Sequence, residues 1–308
     1  MNPFNNRNKI LTFVLTLSFA PVLFFQNCSQ NKFSQSLKAP EDLTGQCVGT
    51  ECSKCPTDQI LVSGVCSAVI CDAFSTKDGA NKCSVKNGLV GSLHYFNLTY
   101  KADGSVANPP SFSYEVDRYL KEATKSSRVM FLSALNIATV GFDKGFFYDG
   151  KVLTNDQGNK ITEHFALDLY SSLKARSAEE AGQYQLVLLS DDGSVLDIAQ
   201  DQFFDAAKHP TAYSYSKFVD NDGGHQPRVA CGTKALSVRS DQAVPIRLKY
   251  FQGPRFHISI SLFWKKINSG QPLKSGDYCG KDIDAEAELA GDGFVKIPQA
   301  NYIAPQVF

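Results

Sequence analysis

From Gly88 onward, apolar residues alternate with polar ones at the period of two that marks β-strands. In the stretch Phe256, Ile258, Ile260, Leu262 and Trp264 the large residues share one parity, with His257, Ser259 and Ser261 on the other and Phe263 as the exception. This predicts a half-buried strand. Val244–Tyr250 repeats the pattern with Ile246, Leu248 and Tyr250 on one face, and Gln252-Gly253-Pro254 between the two stretches is a turn signal. Gln183–Leu189 and Ser194–Ile198 form two more strands around Ser190-Asp191-Asp192-Gly193. Only Ser113–Thr124 departs from this period: it spaces Val116, Tyr119, Leu120 and Ala123 as one face of a helix. Many strands, frequent turn signals and little helix predict an all-β sandwich.

The first residues follow a different pattern. Met1–Ile10 carries Arg7 and Lys9, Leu11–Phe25 is almost wholly apolar, and a polar exit follows. The apolar run is shorter than the roughly 20 residues a spanning helix needs, so it reads as a secretory signal peptide over residues 1–27. Cys28 follows directly. Either it is a bystander to ordinary cleavage, or it is the lipidated first residue of a mature lipoprotein. The position resembles a lipobox, although Phe25, Gln26 and Asn27 stand where Leu and small residues are usual. Nine cysteines are an awkward number for an exported chain, and assigning Cys28 to lipid leaves eight that can all pair. Residues 28–44 are polar and read as a tether from the membrane. Ser29 is not the Asp that marks inner-membrane retention, which points to the outer membrane and the cell surface, with a periplasm-facing arrangement as the alternative.

Cys47, Cys52, Cys55, Cys66, Cys71 and Cys83 crowd into residues 45–84, too short a span for a core of its own. In an oxidising compartment they predict a small disulfide-rich module ahead of the sandwich, whose pairing the sequence leaves open. The last two, Cys231 and Cys279, would tie residues beyond the final strand back onto the sandwich. The expected domain order is thus signal peptide, lipidated tether, disulfide module, a sandwich over residues 88–267 and an extension over residues 268–308.

Charge narrows the functional classes. Lys+Arg and Asp+Glu are 31 each, and removing residues 1–27 takes away two bases, leaving 29 against 31. A chain without basic excess is not built to bind nucleic acid. No nucleophile elbow, zinc-binding HExxH or phosphate loop occurs, and Asp191 and Asp192, as neighbours, suit poorly the separated carboxylates of a glycosidase. The expectation is a binding protein rather than an enzyme.

The run Gly182–Ser194 (GQYQLVLLSDDGS) resembles the centre of the PA-14 domain, the protective-antigen-type β-sandwich. Asp220-Asn221-Asp222-Gly223-Gly224-His225 resembles that family's second loop. Leu248–Pro254 and Leu262-Phe263-Trp264 resemble its last two strands, and Phe165–Ala175 the strand before the central element. The likeness covers residues 88–266, with the first third, including the helical stretch, matching poorly. In the family's sugar-binding members, yeast flocculins and epithelial adhesins, the Asp pair holds calcium, an Asn and backbone carbonyls of the second loop complete the site, and sugar hydroxyls coordinate the ion. The resemblance therefore implies a calcium-dependent carbohydrate-binding lipoprotein, a lectin or adhesin, whose partners are a glycan or glycoconjugate and, through the anchor, the membrane. Two other readings stay open: a structural or protein-interaction module of the envelope, and an accessory to a carbohydrate-active enzyme.

Neighbouring residues on an extended strand point to opposite faces, so Asp191 and Asp192 could share one ion only if a cis peptide turned both the same way. Hard oxygen donors with open positions suit calcium. Asp-Asp-Gly is equally a plain hairpin turn. Asn221 is the first side-chain candidate in the second loop and Asp222 the next. An EF-hand frame from Phe218 fails, because Phe218 and Val229 would occupy its first and twelfth positions. His225, Gln226 and Arg228 would stand beside the ion and contact a sugar, although His225 reads equally as a packing residue. Residues 200–216, rich in Phe and Tyr, are expected to border the site.

Overall fold

The structure is a computed structural model that describes residues 87–148, 151–200, 202–268 and 270–305, with four short strand segments upstream. These are β1 (Gln59–Val62) paired with β2 (Val65–Ala68), and β3 (Thr76–Lys77) paired with β4 (Cys83–Ser84). All belong to the second of two units, Gln46–Phe308. The export segment, Cys28, Cys47, Cys52, Cys55 and Cys71 lie outside the described residues, as do the side chains of Cys66 and Cys83. Among the described residues no helix is long and apolar enough to cross a membrane.

The alternating pattern becomes two packed antiparallel sheets. In chain order the elements are β5 (Leu89–Tyr95), α1 (Val116–Glu122), β6 (Thr124–Leu132), β7 (Asn136–Gly141), the small hairpin of β8 (Phe147–Tyr148) and β9 (Lys151–Val152), and β10 (Phe165–Leu173). There follow β11 (Gly182–Asp191), β12 (Ser194–Ile198), β13 (Ser216–Asn221), β14 (Arg228–Val238), β15 (Val244–Gln252) and β16 (His257–Ile267). The chain closes with α2 (Glu286–Gly291), β17 (Val295–Lys296) and β18 (Tyr302–Ile303). One sheet runs β13-β12-β15-β10-β5-β6 with β18 beside β10, and the other runs β14-β11-β16-β17 with β7 beside β16.

The main core fills the space between the sheets. Leu167 and Leu169 of β10, Leu186 and Leu188 of β11, Ile246 and Leu248 of β15 and Ile260 and Leu262 of β16 all turn into it. Each buried aliphatic side chain of this kind stabilises the fold by about 1.5–3 kcal/mol. The strands are more deeply buried than their alternation suggests, because each sheet is also covered on its outer face. On the larger sheet α1 lays Val116 and Tyr119 against Ala166, Val195 and Phe251. The helical face read from Val116 and Tyr119 is the face that packs.

On the smaller sheet the chain's end does the covering. The extension expected over residues 268–308 contributes its described residues to the sandwich: β17 pairs with β16, β18 pairs with β10, and Leu289 and Phe294 pack on Val187, Leu189 and Phe263. This explains Phe263, whose parity looked exceptional. It belongs to a second core. Buried Ser259 and Ser261 show the same two-sided cover. The bridge expected between Cys231 and Cys279 is present, with Cα atoms 5.5 Å apart, and holds the start of the tail beside Val229.

Candidate functional site

Three connections cross between the two sheets at one end of the sandwich. Asp192-Gly193 links β11 to β12, residues 222–227 link β13 to β14, and residues 253–256 link β15 to β16. The register brings them together: Ser194 lies opposite both Asn221 and Tyr250, Ser190 opposite Arg228, and Asp191 opposite Ser259. Asp-Asp-Gly is therefore not a hairpin within one sheet, as its composition alone allowed, but a step between sheets. Gly193 is required at that step. A Cβ there would stand 2.4 Å from the Phe251 ring and 2.8 Å from Asp222 Oδ1.

Asp191 and Asp192 are only 3% and 6% exposed. Their peptide bond is cis, and both carboxylates face the Gln252 amide, whose Nε2 lies 3.3 Å from Asp191 Oδ1 and 3.4 Å from Asp192 Oδ2. Asp192 also accepts from two backbone groups, His225 N–H at 2.8 Å and Gly253 N–H at 2.7 Å, so each of the other two connections donates to it. Tyr250, fully buried, donates its hydroxyl toward the Asp191 carbonyl and the Gln252 side-chain oxygen. Ser190 Oγ donates to the Asp192 carbonyl at 2.7 Å.

The pair carries more negative charge than its surroundings balance. Burial pushes the Asp191 carboxyl up to about 6, with the Gln252 hydrogen bond opposing. Burial pushes Asp192 up to about 7, reinforced by the charge of Asp191 and opposed by the two backbone donors. The nearest basic side chain is His257, with Nδ1 3.8 Å from Asp191 Oδ2. Arg255 lines the same cleft, but its guanidinium turns away to Glu163 and the Gly104 carbonyl. Two desolvated carboxylates on one side of a cleft are the hard, anionic oxygen donors a divalent cation such as calcium takes.

The second loop joins the pair in a different way from that expected of it. The Asn221 side chain is saturated by the protein: Nδ2 donates to Ser190 Oγ and the Arg228 carbonyl, and Oδ1 accepts from Arg228 Nε at 2.9 Å. Asp222 Oδ1 accepts from the N–H of Val116, the first residue of α1, and from Gly223 N–H. Arg228 also donates to the Asp222 carbonyl, so it stitches the loop instead of facing the cleft. His225 and Gln226 do line the cleft, and the two His225 ring nitrogens lie within 2.9 Å of the Asn221 and Gln226 carbonyls. His225 thus shapes the loop through its ring and serves Asp192 through its backbone. Among the described residues no group of three or more His, Cys, Asp or Glu side chains converges.

The cleft has a volume of about 360 Å³. Tyr114, Pro254 and Phe256 complete its walls. Phe256, expected on the buried face of its strand, is 74% exposed because it lies in the connection before β16 begins. The aromatic segment 200–216 does not border the cleft. It joins Ile198 to Ser216, which is the far end of the β12–β13 pair, and there Tyr213, Tyr215 and Tyr170 pack on one another.

No family model matches the chain, and no curated protein matches it in sequence. Among solved structures it is similar to the PA14 sugar-binding domain from an RTX adhesin, at 12% identity and TM-score 0.39, over 62% of this chain and 94% of that one. It is similar to the PA14 domain of the MpAFP antifreeze protein, at 14% identity and TM-score 0.40, over 68% of this chain and 100% of that one. It is also similar to the A domain of epithelial adhesin 6 from Candida glabrata in complex with Galβ1-3GlcNAc, at 17% identity and TM-score 0.39, over 70% of this chain and 96% of that one.

Proposed function

We propose that this protein is a calcium-dependent carbohydrate-binding protein, a lectin or adhesin exported to the outer membrane and held there by lipid on Cys28. The observation that carries the reading is the pair of buried carboxylates, Asp191 and Asp192, turned together toward a cleft walled by exposed aromatic side chains. Calcium bound there would supply open coordination positions for vicinal sugar hydroxyls. The protein's own part is to hold the carboxylates: Gln252, Gly253 N–H and His225 N–H fix their direction, and burial leaves them poorly hydrated, so little water has to be displaced by an ion. Phe256 and Tyr114 offer rings on which the apolar face of a sugar can stack. With Asn221 and Asp222 engaged inside the protein, the side-chain ligands reduce to the two aspartates, leaving more of the coordination sphere to backbone oxygens, water and the glycan.

Isothermal calorimetry of the full-length protein in mild detergent tests this. Calcium binding that disappears in Asp192→Ala, together with glycan-array signals that chelator abolishes, is the expected outcome. Unchanged calcium binding in the variant would overturn it. Array signals indifferent to chelator would remove the calcium while keeping the lectin.

A further inference from the structure

A second cleft of about 330 Å³ is connected to the first through the Arg255–Glu163 pair. Its floor includes Thr162 and Glu163, its rim Asn97, Tyr100, Asn155 and Asn159. The two clefts are linked through the chain and through side chains. His164 N–H, next to Glu163, donates to the Gly253 carbonyl, and Gly253 N–H in turn holds Asp192. Arg255 walls the first cleft while its Nε lies 3.7 Å from Glu163 Oε2. Its guanidinium, turned toward Glu163, rests over the Phe142 ring 5.0 Å away.

Two features of the second cleft call for a ligand. Glu163 is 3% exposed, yet its Oε1 has no hydrogen-bond partner. A buried acceptor without a donor is costly, and a hydroxyl-bearing ligand is one means of satisfying it. Tyr100 stands beside it, 52% exposed, with its hydroxyl reaching toward Thr162 and Glu163. A carboxylate that accepts O–H groups, amides that both donate and accept, and an exposed ring match the hydroxyls and the apolar face of a pyranose.

We propose that the glycan site continues past Arg255 into this cleft, so that the ligand is an oligosaccharide: one unit lies at Asp191 and Asp192, and the next lies on Tyr100 with a hydroxyl donated to Glu163. This rests on the carbohydrate reading of the first cleft and adds to it a ligand class defined by chain length.

The test is a titrated glycan array carrying galactose, glucose and N-acetylglucosamine oligomers of one to four units, probed with the full-length protein in detergent and calcium. Wild type is expected to bind a two- or three-unit glycan about tenfold more tightly than its one-unit parent. Tyr100→Ala and Glu163→Gln should each erase a factor of about 2–10 of that gain and leave one-unit binding unchanged. Asp192→Ala should abolish binding at every length. If wild type shows no length dependence, or if Tyr100→Ala and Glu163→Gln weaken one-unit and longer glycans alike, the extended site is wrong and the carbohydrate reading stands. If wild type binds no sugar of any length, both fall together.

Discussion

Replacing Asp192 with Asn should raise the stability of the calcium-free protein relative to wild type by about 4 kcal/mol between pH 3 and pH 8. Burial lifts this carboxyl from its ordinary 3.8 to about 7. Between those values the native state keeps a proton that the unfolded chain has released. Stability is therefore full below about 3.8 and is lost as the pH rises through about 7. Each tenfold change in proton affinity is worth roughly 1.36 kcal/mol, so the ionised side chain costs the fold on the order of 4 kcal/mol by pH 8. Asn matches the charge of the protonated acid but not all of its hydrogen bonding. Its side-chain oxygen can accept from one of His225 N–H and Gly253 N–H, and its NH2 meets the other, a mismatch that costs about 1–3 kcal/mol at every pH. At pH 3 the carboxyl is protonated in both the native and the unfolded chain, and only that constant cost separates the two proteins. At pH 8 the variant escapes ionisation and gains up to about 4 kcal/mol. Urea denaturation in chelator at the two pH values measures the gap. A variant less stable than wild type at pH 8, or a gap that does not widen with pH, would refute the reasoning. Calcium should narrow the gap at pH 8, because only the wild type binds it. At free calcium one hundred times the dissociation constant, wild type gains about 2.7 kcal/mol. The same linkage makes calcium affinity climb with pH through the window in which Asp191 and Asp192 ionise.

Three further outcomes follow from the geometry. Gly253→Ala puts a Cβ 3.0 Å from Asp192 Oδ2 and should weaken calcium binding by about tenfold or more, measured by calorimetry, while the urea midpoint moves little. Phe294→Ala empties the core that the chain's end builds on the smaller sheet, where Phe294 is buried against Phe263 and Leu289. It should cost about 3–5 kcal/mol in urea denaturation, and a loss below about 1 kcal/mol would mean that the tail is not docked. Phe256→Ala removes an exposed ring at the cleft and should leave stability within about 0.5 kcal/mol of wild type. The same change should lower glycan affinity by a factor of about 2–10, and an array unchanged by it would exclude stacking on this ring.

The strands were legible because a period of two is imposed by the pleat itself. Val244–Tyr250 and Gln183–Leu189 both fall inside strands of the sandwich, and Val116 and Tyr119 give the helix its packed face. The chain's end was not legible, because β17 and β18 are two residues each, too short for any periodicity. Their place is decided by pairing with β16 and β10, which is a long-range fact. Phe256 was misplaced for a related reason. Parity was carried backward across Gly253-Pro254 into a segment that is not strand, where the alternation no longer says which way a side chain points.

The candidate site divides along the same line between local and long-range information. Asp191 and Asp192 stood out only through the second loop and the strands around them, since Asp-Asp-Gly by itself reads as a turn. What orients them has no such signature: a glutamine read as part of a turn, and two backbone N–H groups that any residue but proline supplies. The second loop illustrates the converse. Asn221 and Asp222 have the composition of ligands, yet a single arginine seven residues on takes the Asn221 oxygen, and a helix from more than a hundred residues upstream takes that of Asp222. Segment 200–216 was set beside the site for its aromatic content, and the β12–β13 register puts it at the opposite end. Donor type can thus be read along a chain, but whether a donor is still open to a ligand depends on what the fold brings against it. At this end of the sandwich, three crossings between sheets leave Asp191 and Asp192 facing the cleft and turn Asn221, Asp222 and Arg228 to holding it together.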